Sequence, residues 1–233
     1  MAAARRSGRL LRADEVVITD AQAYDVQAHV HHALRNDFPV VGYKLGYTSQ
    51  VMREAMGIAN PNYGPLTEAM VMTSPARVGA LMQPKVEPEV AVVVDRELGV
   101  ANLYASVEVV DSVWSNYEFT WAHNTADGSS AALAVIGEEI PTDISLTDIT
   151  IEMTSSSGDA LVARVGDSGI HIEQSLEWLA SRSEIPRELQ PADIVLTGGL
   201  TAPLDLVDGG WVEATFRSDS WATRVCVERN EHR

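Results

Sequence analysis

The 233-residue sequence is short of cysteine, of basic residues and of long apolar runs. Its one cysteine, Cys226, cannot form an internal disulfide, which fits a reducing cytoplasm. No apolar run approaches the length of a membrane span, so we expect no embedded segment. The basic start has no apolar stretch behind it and is not a secretory signal, so we expect residues 1–12 to be frayed. These absences predict a cytoplasmic protein.

Basic residues number 17 against 33 acidic ones, which gives a formal net charge of −16. So acidic a surface repels nucleic acid and anionic membranes, and neither is expected as a partner. Apolar residues make up 45% of the chain, enough to build a core, and the length suits one domain. Composition therefore favours a soluble protein.

Lysine is the scarcest charged residue, with only Lys44 and Lys85 against fifteen arginines. Codon bias explains the scarcity, but not why both lysines lie in apolar strands punctuated by glycine or proline. Burial can bring the pKa of a lysine into a useful range, so that it exchanges protons, whereas arginine stays charged. Lys44 lies between Gly42 and Gly46, and glycines in a strand let backbone or ligand approach closely. Lys44 is therefore a candidate for proton transfer.

Three glutamates stand in unusually apolar surroundings. Glu87 and Glu89 lie at the start of the valine-rich strand that continues through Val94, and alternation along a strand puts both on one face. Their charges repel unless a cation lies between them, and a hard divalent ion with oxygen ligands is a natural occupant. The alternative is an exposed strand end with two solvated glutamates. Glu108 lies inside a second valine-rich run and needs an arginine, a proton or a metal as its partner.

Hydrophobic periodicity and turn residues predict more strand than helix. A helix is expected from Asp20, as N-cap, to about Asp37, and a second over Gln50–Met56, capped by Thr48 or Ser49 and stopped by Gly57. Residues 60–65 are predicted to be a turn-rich loop. Further on, we expect a hairpin over residues 149–165, a helix over 171–181 and strands over 193–197, 211–216 and 222–227. The order is not βαβα, which predicts a β-rich α+β single domain.

Three segments in order resemble motifs of the hydratase/decarboxylase family. Residues 42–49, GYKLGYTS, resemble G-[WY]-K-[IVL]-G-x-T-S; residues 85–91, KVEPEVA, resemble [KR]-V-E-x-E-[VI]-A; and residues 107–112, VEVVDS, resemble L-E-I-V-D-S. Weaker agreement continues at residues 126–130, 171–179 and 193–198, so that the match covers most of residues 20–228. The family includes 2-keto-4-pentenoate hydratase and 4-oxalocrotonate decarboxylase, within the fumarylacetoacetate hydrolase superfamily.

The resemblance implies a β-roll fold with flanking helices and a Mg²⁺ or Mn²⁺ ion held by Glu87, Glu89 and Glu108. The metal would chelate the carboxylate and C2 oxygen of a 2-keto or 2-hydroxydienoic acid and stabilise an enolate, while Lys44 transfers the proton. The substrate would also contact residues at matching positions: Ser49, Asn62, Asp127, Ser130 and Thr197. A homo-oligomer is expected by analogy alone.

The chain departs from the family pattern at four positions. Asn62 stands where the family commonly has the aspartate of P-D-F-G, and a neutral amide cannot act as a base. Val113 follows Asp-Ser in place of arginine, and Gly128 replaces an asparagine. His123 takes a position that is usually acidic; it is either a catalytic replacement for the lost carboxylate or a histidine with only structural contacts.

The predicted function is that of a metal-dependent lyase, with hydration of 2-hydroxypenta-2,4-dienoate as the expected reaction. Three alternatives stay open: a decarboxylase of the 4-oxalocrotonate type, a redirected tautomerase or cyclase of a specialised pathway, and a noncatalytic partner subunit. The presence of Lys44 and all three glutamates counts against the last of these.

Overall fold

Strands outweigh helices in the computed structural model, which describes residues 1–35 and 37–231. The α-helices within these residues are α1 (Ala2–Ser7), α2 (Ala23–Arg35), α3 (Gln50–Met56), α4 (Trp121–Ala126) and α5 (Ile172–Ala180). The strands are β1 (Val40–Gly46), β2 (Asn62–Thr67), β3 (Val71–Thr73), β4 (Ala76–Val78), β5 (Lys85–Val94), β6 (Val100–Val110), β7 (Ala131–Glu139), β8 (Thr150–Ser155), β9 (Ala160–Arg164), β10 (Ile194–Leu196), β11 (Leu204–Asp205), β12 (Trp211–Arg217) and β13 (Ala222–Arg229). No helix in this described part is long and apolar enough to cross a membrane.

The strands form two sheets that pack against each other. The larger has the order β2-β1-β10-β5-β6-β7-β3, with β11 pairing with β5, and the smaller has the order β4-β13-β12-β8-β9. The core between them takes Val86 and Val90 of β5, Val107 and Val109 of β6, and side chains of the smaller sheet such as Phe216. Each such buried side chain stabilises the fold by roughly 1.5–3 kcal/mol. Because side chains alternate, the remaining residues of β5 and β6 point to the other face of the larger sheet.

Most predicted elements are present, with one changed cap. Helix α3 covers Gln50–Met56, with Ser49 at the N-cap position and Gly57 in the left-handed conformation that ends it. Before α2, Thr19 and not Asp20 is the cap, because Thr19 precedes a 3-10 turn and its backbone N–H donates to Gln22 Oε1 at 3.2 Å. Asn36, within the predicted helix, lies outside the described residues.

The prediction of a loop over residues 60–65 is wrong from Asn62 onward, because strand β2 begins there. Asn62 pairs with Gly46, and Pro65 pairs with Tyr43, in an antiparallel ladder with β1. Proline fits because β2 is the edge strand of its sheet, where one side of the backbone needs no partner strand. The Asn, Gly and Pro content resembles that of a turn, and only pairing with β1 reveals the strand.

The expectation that residues 1–12 are frayed is also wrong. Helix α1 places Arg5 against the buried Asp127, with Nε to Oδ1 at 3.0 Å and Nη2 to Oδ2 at 2.8 Å. Nη2 of Arg5 also donates to the backbone carbonyl of Asp111 at 2.7 Å. The same Asp127 carboxylate accepts the backbone N–H of Val113 at 2.9 Å. A bidentate, charge-assisted pair therefore ties the N-terminal segment to the end of β6 and to the turn after α4.

Replacing Arg5 by methionine should destabilise the protein by about 3 kcal/mol, because it leaves the Asp127 carboxylate buried without its counter-charge. The free energy of unfolding in urea measures this loss. Arg9→Met is the control, since Arg9 is an exposed arginine of the same segment. Equal stabilities of the two variants would mean that the Arg5–Asp127 pair contributes nothing.

Candidate metal and catalytic site

Three carboxylates meet on the face of the larger sheet that points away from the smaller one. Glu87 and Glu89 lie two residues apart on β5, and Glu108 of β6 is the direct partner of Glu87 in the antiparallel register. One oxygen from each lies within 4.8 Å of the others. Glu89 and Glu108 are fully buried, whereas Glu87 keeps partial exposure. The predicted clustering on one face is therefore present, with Glu87 at its open side.

Several oxygens of this cluster lack partners. Glu89 Oε2 accepts the backbone N–H of Gly198 at 2.8 Å. Among the described residues, Glu89 Oε1 and Glu108 Oε1 have no hydrogen-bond donor. A buried carboxylate oxygen without a donor is costly, and a cation removes that cost. Three carboxylates form a hard, all-oxygen ligand set, so these residues fit a divalent ion of the magnesium, manganese or calcium type.

A glycine turn after β10 closes over the carboxylates. Gly198 has a φ of +109°, and a Cβ there would clash with Thr48 Oγ1. At Gly199, a Cβ would lie only 3.0 Å from Glu87 Oε2. Only glycine lets the backbone approach this closely and point its N–H at Glu89. Thr48 also lines a cavity of about 480 Å³ between α3 and α5, together with Arg53, His171 and Trp178.

Lys44 reaches the cluster from β1 and is itself buried. Its Nζ lies 3.1 Å from Glu108 Oε2, an ion-pair distance whose angles are not those of a hydrogen bond. It donates to the backbone carbonyl of Ser129 at 2.8 Å and to the Ser129 hydroxyl at 3.2 Å. Burial alone lowers the pKa of Lys44, but the three carboxylates outweigh it and raise that pKa above its ordinary value. Lys44 therefore carries a proton at neutral pH.

Burial has the opposite effect on the glutamates. It raises the pKa of Glu108 to about 7 against the opposing charge of Lys44. The pKa of Glu89 also rises well above its ordinary value, from burial first and then from the charge of Glu108. Glu87 shifts upward too, mainly because of burial. In the absence of a cation the cluster retains protons near neutral pH, and a metal ion must displace them.

The predicted substrate contacts lie in different surroundings. Asn62 and Asp127 have internal hydrogen-bond partners for all their side-chain polar atoms, so this geometry offers a substrate no unused polar atom on either residue, and their contact with substrate stays a prediction. Ser130 accepts a hydrogen bond from Asn124 at 3.0 Å and keeps its own proton to donate. Thr197 donates to the carbonyl of Val90 at 2.9 Å and keeps its lone pairs. Together with Ser49 at the N-cap position of α3, these two stay predictions.

His123, the second predicted catalytic residue, makes structural contacts through its whole ring. Its Nδ1 lies 2.7 Å from Thr120 Oγ1, and its Nε2 lies 2.7 Å from the backbone carbonyl of Val16. Its ring packs edge-on against Trp114 at 4.8 Å between centroids. Both nitrogens are occupied, so neither is free to exchange a proton with a substrate. The second of the two interpretations, structural contacts, is the one that the geometry supports.

Two site residues were missed by the sequence analysis. Ser129 holds Lys44 through two oxygens, and Asn124 links Ser129 to Ser130. The signal available from the sequence was the polar turn Gly128-Ser129-Ser130. In the structure, both serines have positive φ values of 55° and 57°. Such values are uncommon for residues other than glycine and cluster at functional sites.

Comparison with known proteins places this geometry in a family. No protein-family model matches the chain. The chain is 35% identical over 219 residues to 2-keto-4-pentenoate hydratase 1 of Dechloromonas aromatica, covering 84% of this chain and 82% of that protein. It is 25% identical over 235 residues to 4-oxalocrotonate decarboxylase of Pseudomonas putida, covering 83% and 89%. The chain belongs to the hydratase/decarboxylase family.

The fold agrees with that assignment. A solved structure of 4-oxalocrotonate decarboxylase from Pseudomonas putida G7, complexed with magnesium and adipate, superposes with a TM-score of 0.82 at 21% identity, covering 97% of this chain and 93% of that one. The predicted β-rich α+β fold is therefore confirmed. Hydratases and decarboxylases are lyases, and this member of the hydratase/decarboxylase family is an enzyme of that class.

Metal-free protein should lose stability as the pH rises from about 5 to about 8, because the folded state holds protons that the unfolded chain releases. The pKa of Glu108 is about 7 in the folded state against an ordinary 4.5, so its contribution is full below 4.5 and is lost as the pH passes 7. Adding Mg²⁺ at about a hundred times its Kd should restore about 3 kcal/mol, most clearly above neutral pH. Thermal unfolding in EDTA and in Mg²⁺ measures both; a pH-independent midpoint in EDTA would contradict the assignment.

Glu108→Gln keeps the shape of the side chain but removes its charge. Mg²⁺ affinity should fall by more than about a hundredfold, because even partners outside the ligand set cost ten- to a hundredfold. Isothermal titration calorimetry measures the change. Glu152→Gln, at an exposed glutamate of β8, is the control and should bind Mg²⁺ as the unmodified protein does. Unchanged affinity in Glu108→Gln would remove Glu108 from the ligand set.

Proposed function

We propose that this chain is a Mg²⁺-dependent hydratase that adds water to 2-hydroxypenta-2,4-dienoate, the enol form of 2-keto-4-pentenoate. The observation that supports this most directly is the buried ammonium of Lys44 at 3.1 Å from a cluster of three carboxylates. A charged amine beside an all-oxygen metal site supplies a proton and a place for an acidic substrate oxygen.

Glu87, Glu89 and Glu108 are the proposed ligands of the ion. Their orphaned oxygens are the acceptors it would satisfy, and the partial exposure of Glu87 leaves a side open for substrate. When bound, a divalent ion supplies positive charge that stabilises the negative charge developing on substrate oxygens. The carboxylates hold a net negative charge without it, so the acidic substrate binds after the cluster is neutralised.

Lys44 is the proposed proton-transferring residue. Its raised pKa keeps the amine protonated at neutral pH, so it acts first as a donor to the carbon skeleton and afterwards as the base that recovers a proton. Burial excludes bulk water from the ammonium and strengthens its interaction with a developing carbanion. Ser129 and Glu108 leave the ammonium little freedom to turn away from the cluster.

Hydration is favoured over decarboxylation by the relatives. The protein named 2-keto-4-pentenoate hydratase 1 is 35% identical to this chain over 219 aligned residues. The protein named 4-oxalocrotonate decarboxylase is 25% identical over 235 aligned residues. A homo-oligomeric state stays part of the proposal, and sedimentation measures it.

Replacing Lys44 by alanine should lower kcat by about a hundredfold or more, the usual contribution of a positioned acid–base group. Mg²⁺ binding should persist, because the carboxylates remain. Lys85→Ala is the matched control. Lys85 is the chain's other lysine, and its Nζ forms a partly exposed ion pair with Asp205 Oδ1 at 2.6 Å. Turnover in Lys44→Ala equal to that in Lys85→Ala would refute the role of Lys44.

The same assay identifies the reaction. The Mg²⁺-loaded protein is given 2-hydroxypenta-2,4-dienoate and, separately, 4-oxalocrotonate, with ultraviolet detection and product mass. Gain of one water on the first substrate supports the hydratase. Loss of carbon dioxide from the second, without hydration of the first, would make the enzyme a decarboxylase. Turnover of neither, with Mg²⁺ bound, would overturn the proposed substrate class.

A further inference from the structure

A buried group of uncharged polar side chains lies directly behind Lys44. Its members, here called the amide network, are Asn62 of β2, Asn124 and Thr125 of α4, and Ser129 of the turn after α4. All are buried. They come from two separate stretches of the chain, residue 62 and residues 124–129, and β1 with Lys44 passes beside them. So much buried polarity demands that each group find a partner.

Asn62 organises this network. Its Nδ2 has two hydrogens and donates both, to Asn124 Oδ1 and to Thr125 Oγ1, each at 2.9 Å. Its Oδ1 accepts the hydroxyl of Ser129 at 2.9 Å. The hydroxyl proton of Ser129 is shared between Asn62 Oδ1 at 2.9 Å and the more distant Asn124 Oδ1 at 3.5 Å, which leaves the lone pairs of that oxygen for another donor.

The ammonium of Lys44 donates a hydrogen bond to this hydroxyl oxygen. An ammonium has three hydrogens, and Nζ faces the Ser129 carbonyl at 2.8 Å, the Ser129 hydroxyl at 3.2 Å and Glu108 Oε2 at 3.1 Å. The left-handed backbone of Ser129, with φ of 55°, presents both of its oxygens to one nitrogen. Gly46, paired with Asn62, permits this packing, because a Cβ there would clash with Asn62 Oδ1 and lie 2.7 Å from Ser129 Oγ.

We propose that Asn62 is a positioning residue, which acts through Ser129 to fix the ammonium of Lys44 against the carboxylate cluster. The proposal rests on the proposed function for the role of Lys44 in proton transfer. Because Asn62 is neutral, Glu108 is the nearest opposite charge to Lys44, and the ammonium faces the substrate side. A carboxylate at position 62 would add a second anion one hydroxyl group behind Lys44 and draw the ammonium away from the cluster.

The scarcity of lysine makes the position of this ammonium measurable. With ¹⁵N-lysine labelling, the Mg²⁺-loaded protein gives side-chain nitrogen signals from Lys44 and Lys85 alone. Lys44 is buried, donates two hydrogen bonds to Ser129 and lies 3.1 Å from Glu108 Oε2, so its ammonium protons should exchange slowly with water. Lys85, whose side chain is 28% exposed, is the internal reference.

Ser129→Ala removes the bridging hydroxyl, and Asn62→Leu keeps the approximate shape of Asn62 but removes its acceptor. In both, exchange of the Lys44 ammonium should quicken by about tenfold or more, the equivalent of one hydrogen bond to a charged group. The kcat should fall by about the same factor while KM and Mg²⁺ affinity stay within about twofold, because ground-state binding does not use the network.

Thr125→Val is the control for a merely structural effect. It removes a different buried acceptor of Asn62 Nδ2 and leaves the path from Asn62 to Lys44 intact. The Lys44 signal should stay slow even where the melting temperature falls. If Asn62→Leu does not fold, Ser129→Ala decides the matter.

An unchanged Lys44 signal in Ser129→Ala and Asn62→Leu, or an equal change in Thr125→Val, overturns the proposal. The nitrogen signals are read without turnover. A protein that turns over neither test substrate but shows the predicted exchange pattern therefore refutes the proposed function and leaves the positioning role standing.

Discussion

The mutual repulsion of three closely spaced carboxylates is the constraint on which the rest of this site depends. Glu87, Glu89 and Glu108 sit within 4.8 Å of one another on a sheet face, two of them with no exposure to water. Such a cluster stays ionised near neutral pH only with positive charge beside it. Lys44 supplies one unit of that charge from a neighbouring part of the sheet, and the open oxygens leave room for a divalent ion to supply the rest. The close-packing glycines and the serine turn are the means by which the backbone reaches these charges.

Local sequence patterns were enough to find the centre of the site. The Glu-x-Glu spacing placed Glu87 and Glu89 on one face because strand side chains alternate. Glu108 stood out as a carboxylate within a valine run, and Lys44 as a lysine between glycines. Each of these signals lies within a few residues of the side chain concerned. The fold class followed from strand content and from the resemblance to the hydratase/decarboxylase family.

What the sequence could not predict depends on residues far apart along the chain. Arg5 and Asp127 are separated by 122 positions, and nothing near Arg5 marks it as bound. The residues of strand β2 have the composition of a turn, and only their pairing with β1 makes them a strand. The side chain of Asn62 then meets partners on α4 and on the turn after it. For His123, the partner Thr120 lies only three residues away, but the second partner, the carbonyl of Val16, lies 107 positions away. Long-range pairing decides such positions, and a local pattern carries no record of it.

The direct pairing of Glu87 with Glu108 also bears on how the central strands find their alignment. If β5 alone slipped by one residue against the rest of the sheet, Glu87 and Glu89 would rotate into the valine core between the sheets, and Val86 and Val90 would face Lys44 and Glu108. Two carboxylates in that core would have neither Lys44 nor the Gly198 N–H within reach. The slipped arrangement is therefore penalised by the same charges that build the site. The acidic cluster therefore favours the native register of β5 whether or not a substrate is bound.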